Sequence, residues 1–220
     1  MLHCNKWILR ITLWNLKLNK PLLIDHSFED WVWEGVPNFR MEQVRDWIFE
    51  KGQLDWGKMS NLPKSLKEKL TERYDLVPMK IMRVQGSKDT TQKFLWRLRD
   101  HQLIESVLIR ANQDALGNRS SRLTLCVSTQ VGCALGCKFC ASGLDGLKRN
   151  LTTGEIVGQI LLARKEAGRR IDNLVFMGMG EPLANLRALL PALDQILSPR
   201  GLGIGARHLT LSTSGLVPKI

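Results

Sequence analysis

The sequence predicts an α/β protein in which a small helical domain precedes a series of parallel βα units. After residue 122, short apolar runs of strand length alternate with longer helical patterns, which is typical of parallel βα units. All seven tryptophans lie before residue 100, whereas glycine becomes frequent after it, so the composition indicates two regions. With 220 residues and 44% hydrophobic content, the chain can bury a substantial core.

The N-terminal part is predicted to contain a helical accessory domain over residues 35–85. Apolar residues recur at helical spacing in two segments, with Met41, Val44 and Ile48 in the first and Leu62, Leu66 and Leu70 in the second. Residues 52–61 are rich in turn-forming residues and connect the two segments. Residues 1–34 are an N-terminal extension of unassigned structure, and they lack the apolar segment and cleavage site of a secretory signal.

Residues 86–121 predict a β-hairpin followed by a connecting loop. The segments 94–99 and 103–109 are apolar and rich in β-branched residues, and Asp100-His101-Gln102 separates them as a turn. Residues 111–121 are polar and are predicted to form the loop that leads into the next region.

The last region, 122–220, carries the alternating pattern. Strands are predicted at 123–128, 174–177 and 208–211, and helices at 152–167 and 185–197. Thr152 and Glu155 have the spacing of a capping box at the start of the first helix, and Gly168 is suited to end it. Functional residues of parallel folds gather at the C-terminal ends of the strands, so the loops after these three strands should face one site.

The net charge and the cysteine content limit the kinds of partner, chemistry and compartment that suit this protein. Thirty-two Lys and Arg residues against 21 Asp and Glu residues give a net charge of +11. Such a charge suits a polyanionic partner, above all nucleic acid, but it is equally compatible with a solvated basic surface that has no partner. No apolar run approaches the roughly 18 residues of a membrane span. Four of the five cysteines fall within residues 126–140, which favours metal or redox chemistry in a reducing compartment, so we expect a cytoplasmic protein.

The loop Cys133-Ala-Leu-Gly-Cys137-Lys-Phe-Cys140 is the strongest chemical signal in the sequence, because its spacing supplies three thiolates. A four-iron cluster is usually held by four cysteines, so three would leave one iron open to a substrate or cofactor. The alternative is a structural zinc site in which Cys126 is the fourth ligand, since zinc prefers closed tetrahedral thiolate sites.

Two further motifs follow predicted strands. Gly178-Met-Gly-Glu-Pro182 combines glycines, which permit close backbone approach, with Glu181, whose carboxylate can accept hydrogen bonds from an ammonium group. Ser212 ends the last predicted strand, where its hydroxyl can reach a cofactor. Either motif alone is more often an ordinary turn, so their common position after parallel strands is what indicates a site.

The cysteine loop, placed after the first strand of a βα series, resembles the cluster-binding loop of the radical S-adenosylmethionine (SAM) enzymes. The resemblance implies a [4Fe-4S] cluster held by Cys133, Cys137 and Cys140, with SAM on the open iron. It also implies three SAM-contacting residues: Gly180, Glu181 and Ser212. Radical SAM barrels have six βα units, so this chain is expected to form the first three of them, over residues 122–220.

The segments Cys126-Val-Ser-Thr-Gln-Val-Gly-Cys133 and Arg149-Asn-Leu-Thr, together with Gln43-Val-Arg-Asp-Trp-Ile, resemble the RlmN family of RNA adenine-C2 methyltransferases. This family methylates an adenosine of 23S rRNA and of certain tRNAs through a methylated cysteine, using an electron donor such as a flavodoxin-type reductant. The resemblance implies that Cys126 is the resolving thiol, which ends in a disulfide, and that Glu105 accepts the C2 proton. We also expect a monomer and no membrane partner.

The sequence departs from this family because no cysteine follows Cys140, and the methyl-carrying cysteine is therefore absent. We expect the 220 residues to be a truncated product or fragment that cannot complete methyl transfer alone. Two alternatives stay open at this point. One is the related adenine-C8 RNA methyltransferase, which shares every motif named above, and the other is a non-catalytic, zinc-binding RNA-interaction module.

Overall fold

A computed structural model describes residues 20–87, 91–110 and 122–219 of the chain. The predicted loop at 111–121 and the first 19 residues of the predicted extension lie outside these described residues. In the described residues, two N-terminal helices come before a mixed sheet. Further helices connect the parallel strands of this sheet. The fold class is therefore α/β, as predicted.

Both predicted N-terminal helices are present. Helix α1 (Asn38–Arg45) continues into a π-helical turn (Asp46–Glu50), and helix α2 spans Lys64–Arg73. The indole of Trp31 is buried and stacks on Trp33 in the core beside these helices. The described end of the predicted extension thus contributes aromatic side chains to the same hydrophobic core.

Six strands form the main sheet, and in spatial order they are β1 (Met79–Gln85), β2 (Gln92–Leu98), β3 (Leu103–Arg110), β4 (Leu123–Cys126), β7 (Asn173–Phe176) and β8 (Leu209–Leu211). Strands β1 to β4 pair antiparallel, whereas β4, β7 and β8 are parallel. The predicted hairpin and the three predicted parallel strands are confirmed. Strand β1 was not predicted, and it extends the sheet beyond the hairpin.

Two short strands frame the cysteine loop in a separate two-stranded sheet. They are β5 (Gln130–Gly132) and β6 (Leu147–Asn150), which pair antiparallel. Neither was predicted, because three or four residues of mixed polarity carry no readable periodicity. Their pairing closes the base of the cysteine loop.

The two helices predicted between the parallel strands are both present. Helix α3 (Thr153–Ala167) has the predicted capping box, since Thr152 Oγ1 accepts the Glu155 N–H at 3.2 Å and Glu155 Oε2 accepts the Thr152 N–H at 2.9 Å. It ends at Gly168, whose φ of 68° is in the left-handed region. Helix α4 is Leu186–Leu197. Among the described residues, no helix combines the length and apolar character needed to cross a membrane.

The two faces of the main sheet have different surroundings. Phe94 and Trp96 of β2 are fully buried on the face that packs against α3. Lys93, Leu95 and Arg97 alternate with them and lie on the opposite face, which we call the open face, where they are only partly buried or exposed. Groups on the open face are therefore accessible to a ligand.

Candidate cofactor-binding site

A cavity of about 560 Å³ lies at the C-terminal ends of the parallel strands. The three motifs predicted to share a site all line it: Cys133, Cys137 and Cys140 from the cysteine loop, Gly178, Gly180 and Glu181 from the loop after β7, and Ser212 directly after β8. Strand order explains this meeting, because β4, β7 and β8 are parallel neighbours whose ends share one edge of the sheet. Their convergence agrees with the expectation from sequence.

The cysteine loop presents three thiols to this cavity. Cys133 is buried and its sulfur accepts the Leu135 N–H at 3.4 Å, while Cys137 and Cys140 are partly exposed. The Cys140 N–H donates to the Cys137 carbonyl at 3.0 Å, which fixes the turn between them. No set of three metal-ligating side chains within the described residues is already closed around a common point. The donor set nevertheless fits an iron–sulfur cluster, since all three thiols belong to one short loop on one cavity wall.

Cys126 lies apart from those thiols. It is the last residue of β4 and points to the open face of the sheet, and it does not line the cavity. Burial raises the pKa of the Cys126 thiol, and a backbone hydrogen bond from Met177 only partly opposes this effect. All four described cysteines are free, so the disulfide expected from the family resemblance has no counterpart in the part of the chain that the structure describes.

Two glycines permit the loop after β7 to approach β4. A Cβ atom on Gly178 would lie 2.6 Å from the Ser128 hydroxyl and 2.7 Å from its backbone nitrogen. Gly180 has a φ of 98°, a conformation that other residues rarely adopt. A side chain at Gly178 would thus separate the two strand ends that carry the site.

Glu181 connects the second and third motifs. Its side chain is buried, and its carboxylate oxygens accept the Leu183 N–H at 3.0 Å and the Ser214 N–H at 2.7 Å. Burial alone would raise the pKa of this carboxyl, but hydrogen bonds from Ser214, Thr213 and Leu183 outweigh it and hold the pKa below its ordinary value. The charged carboxylate therefore fixes the loop after β8 against the loop after β7. Glu181 also lines the cavity, so its negative charge lies at the cavity wall.

A buried polar network behind the site was missed by sequence reasoning. Ser128 Oγ donates to the Glu105 carbonyl at 2.6 Å and accepts the Met179 N–H at 2.8 Å. The side chain of Gln159 holds the same residue, because it accepts the Ser128 N–H and donates to the Ser128 carbonyl, each at 2.9 Å. A polar residue within the apolar stripe of α3 was the available signal for Gln159. These bonds fix the backbones of β3, of the end of β4 and of the loop after β7 relative to one another.

Glu105 lies on the open face of β3. Its carboxylate forms an ion pair with Lys93 Nζ at 2.9 Å, and its side chain is 42% exposed. Val107 is directly opposite Cys126 in the register, so Glu105 and Cys126 are diagonal neighbours on one face, roughly 7–8 Å apart between backbones. The structure therefore brings together the two residues that the resemblance implied as catalytic.

Arg149 has a structural role that its motif did not reveal. Its guanidinium makes two parallel hydrogen bonds to Glu155, at 2.7 and 2.8 Å, and a third to Asp100 at 2.6 Å. These bonds raise the pKa of Arg149, chiefly through Glu155. They join the turn of the β2–β3 hairpin to the capping box of α3.

The parallel βα fold and the three-cysteine loop at its strand ends define a radical SAM domain. A sequence model of the radical SAM superfamily matches residues 127–220. Among solved structures, a radical SAM methyltransferase from Sphaerobacter thermophilus superimposes with a TM-score of 0.80 at 41% identity, covering 90% of this chain and 58% of that one.

More specifically, the chain belongs to the RlmN family. A model described as the ribosomal RNA large subunit methyltransferase N-terminal domain matches residues 25–76. A probable dual-specificity RNA methyltransferase RlmN of Akkermansia muciniphila is 56% identical over 184 residues, or 84% of this chain and 51% of the relative. The dual-specificity RNA methyltransferase RlmN of Nitratiruptor sp. is 44% identical over 90% of this chain and 58% of the relative. The chain thus spans about half the length of these relatives.

Proposed function

We propose that this chain carries the cluster-binding and SAM-binding part of an RlmN-type methyltransferase that acts on C2 of adenine in 23S rRNA and in certain tRNAs. The observation that supports it is the convergence of the three motifs on one cavity at the ends of β4, β7 and β8. When bound there, the cluster and SAM supply a carbon radical, which adenine C2 requires because ordinary transfer of a methyl cation cannot reach an electron-poor carbon. A flavodoxin-type electron donor, a cytoplasmic location and a monomeric state belong to the same proposal.

In this proposal the cavity residues divide into two groups. Cys133, Cys137 and Cys140 hold the cluster through their thiolates. Gly180, Glu181 and Ser212 would hold SAM, and the negative charge of the Glu181 carboxylate would suit the ammonium group of the methionine portion of SAM.

Glu105 and Cys126 are the proposed catalytic residues on the open face, with Cys126 as the resolving thiol and Glu105 as the acceptor of the adenine C2 proton. The raised pKa of Cys126 keeps its thiol protonated at neutral pH, so it needs a proton acceptor before it can act as a nucleophile. Glu105 is a carboxylate on the same face, one diagonal step away, and it forms an ion pair with Lys93. We assign it the adenine C2 proton.

Disruption of the gene in the source organism is expected to remove 2-methyladenosine from rRNA and tRNA, because the proposed reaction requires the cluster-binding and SAM-binding part that this chain carries. Mass spectrometry of nucleosides from total RNA measures this directly, and re-expression of the gene should restore the signal. Loss of 8-methyladenosine instead would assign the C8 reaction, and unchanged RNA would contradict the proposal.

The 220 residues by themselves are expected to bind the cluster but to form no 2-methyladenosine, because they contain no cysteine after Cys140 to carry the methyl group. Anaerobically reconstituted protein incubated with SAM, a reductant and RNA tests this by nucleoside analysis. The control is the same protein without RNA, analysed for SAM consumption. Appearance of 2-methyladenosine would show that these residues complete the reaction without a methyl-carrying cysteine.

A further inference from the structure

The open face of the β1–β3 sheet carries a concentration of positive charge beside the proposed catalytic pair. In the strand register, Lys80 of β1 is opposite Arg97 of β2, and Arg83 of β1 is opposite Leu95. Directly opposed residues of an antiparallel pair share a face, so these three cations lie on one side of the sheet. All three are exposed. We call Lys80, Arg83 and Arg97 the hairpin patch.

The hairpin patch shares its face with Glu105. Leu95 is opposite both Arg83 on one side and Glu105 on the other, which places Arg83 and Glu105 two strands apart in one row. At about 4.8 Å between neighbouring strands, their backbones are about 10 Å apart. The ion pair between Lys93 and Glu105 independently shows that β2 and β3 present these side chains to the same side.

The described part of the chain does not compensate the charge of the hairpin patch. Lys80, Arg83 and Arg97 make no salt bridge to any residue within 20–87, 91–110 or 122–219. Glu105 is the acidic residue of this face in β1, β2 and β3, and Lys93 already neutralises it. Among the described residues, these three exposed cations therefore have no acidic partner.

Protection of a sheet edge does not account for this arrangement. Charged side chains on an edge strand commonly prevent pairing with other chains, and β1 is an edge strand of this sheet. Arg97, however, belongs to β2, which is paired on both sides, so it protects no edge. Clustering of cations across two strands on the open face favours a polyanionic ligand instead.

We propose that the hairpin patch binds phosphates of the RNA strand that flanks the reacting adenosine. This inference rests on the proposed function, because it takes RNA as the substrate, and it adds where the RNA backbone lies. Exposed Lys and Arg side chains suit phosphate oxygens, and a backbone lying across β1 and β2 leaves the neighbouring base close to Glu105 on β3.

A charge-removal variant tests the hairpin patch. We expect Lys80→Gln/Arg83→Gln/Arg97→Gln to bind a fluorescein-labelled RNA stem-loop on the order of tenfold more weakly at low salt, measured by fluorescence anisotropy. The slope of log affinity against log salt concentration should decrease in magnitude by about 2 to 3, because each lost phosphate contact reduces this slope by roughly 0.7–0.9. The matched control, Lys64→Gln/Lys67→Gln/Lys69→Gln on α2, removes the same charge and should change the slope by less than about 1.

A charge-conserving variant, a check of the fold and a competing polyanion complete this experiment. The charge-conserving variant Arg83→Lys/Arg97→Lys should retain binding, and circular dichroism of each variant checks the fold. Equal losses in the two triple variants, absence of RNA binding by the unchanged chain, or tighter binding of a polyglutamate peptide than of RNA would overturn the assignment. The gene-disruption result is independent of these measurements, so a failure of the proposed function is recognised separately from a failure of the hairpin patch.

Discussion

Replacement of Cys133, Cys137 or Cys140 by alanine is expected to abolish iron binding, whereas Cys126→Ala should leave it intact. The reason is position: the three loop thiols line one cavity, and Cys126 lies outside it on the open face. A cluster with three protein ligands has no spare thiolate, so loss of any one should prevent assembly. Anaerobic reconstitution with iron and sulfide measures this, through about four irons per chain and an absorbance band on the order of 400 nm.

The same four variants distinguish the cluster from a zinc site. In a structural zinc site with Cys126 as fourth ligand, Cys126→Ala would lose metal as completely as the loop variants do. Purified protein would then contain about one zinc per chain and would show no charge-transfer band after reconstitution. Such a result would favour a non-catalytic RNA-interaction module and would contradict the assignment of Cys126 as a separate thiol.

Much of the fold was predictable because its elements carry periodic or capping signals. Helix α3 has an apolar stripe, a capping box at Thr152 and a terminal Gly168, so three independent features agree on it. Strands β4 and β7 are short apolar runs between turn residues. Strand β1 lacked such a signal, because most of its residues are exposed and its register shifts between Ile81 and Arg83. Only pairing with β2 makes it a strand.

The candidate site was predictable to the level of its motifs. Parallel strands end at one edge, so motifs that follow β4, β7 and β8 had to meet, and they do. The diagonal relation of Glu105 to Cys126 was not predictable, because it depends on the register of β3 against β4. The hydrogen bond from Ser214 to Glu181 was not predictable either, because it joins two loops whose residues are 33 positions apart in the chain.

The second large effect is expected at Glu181, where Glu181→Gln should both destabilise the chain and weaken SAM binding. An amide offers one acceptor oxygen, so it can satisfy the N–H of Ser214 or that of Leu183 but turns an NH2 group towards the other. A buried N–H left without a partner costs about 1–3 kcal/mol. If the loop after β8 also moves away from the cavity, SAM affinity should fall by roughly tenfold, the equivalent of about 1.4 kcal/mol.

The matched control is Glu105→Gln, which removes a carboxylate that is partly exposed and makes one ion pair. Exposed pairs contribute about 0–1 kcal/mol, so this variant should keep nearly the full unfolding free energy and should bind SAM as the unchanged chain does. Urea unfolding and equilibrium dialysis of labelled SAM with reconstituted protein compare the two variants. Equal effects at the two positions would indicate that the bonds of Glu181 to the loop after β8 do not stabilise the site.

Lowering the pH should weaken the stabilising hydrogen bonds of Glu181 in the unchanged chain. The pKa of Glu181 is lower in the folded chain than its ordinary value, so the unfolded chain binds the proton more readily as pH falls. The stabilisation by Glu181 is therefore complete above the ordinary carboxyl pKa of about 4.3 and is lost as pH falls through the folded value. The difference in unfolding free energy between the unchanged chain and Glu181→Gln should be largest near neutral pH and should shrink below about pH 4.3. A difference that grows on acidification would mean that burial, which favours the neutral acid, outweighs the hydrogen bonds from Ser214 and Leu183.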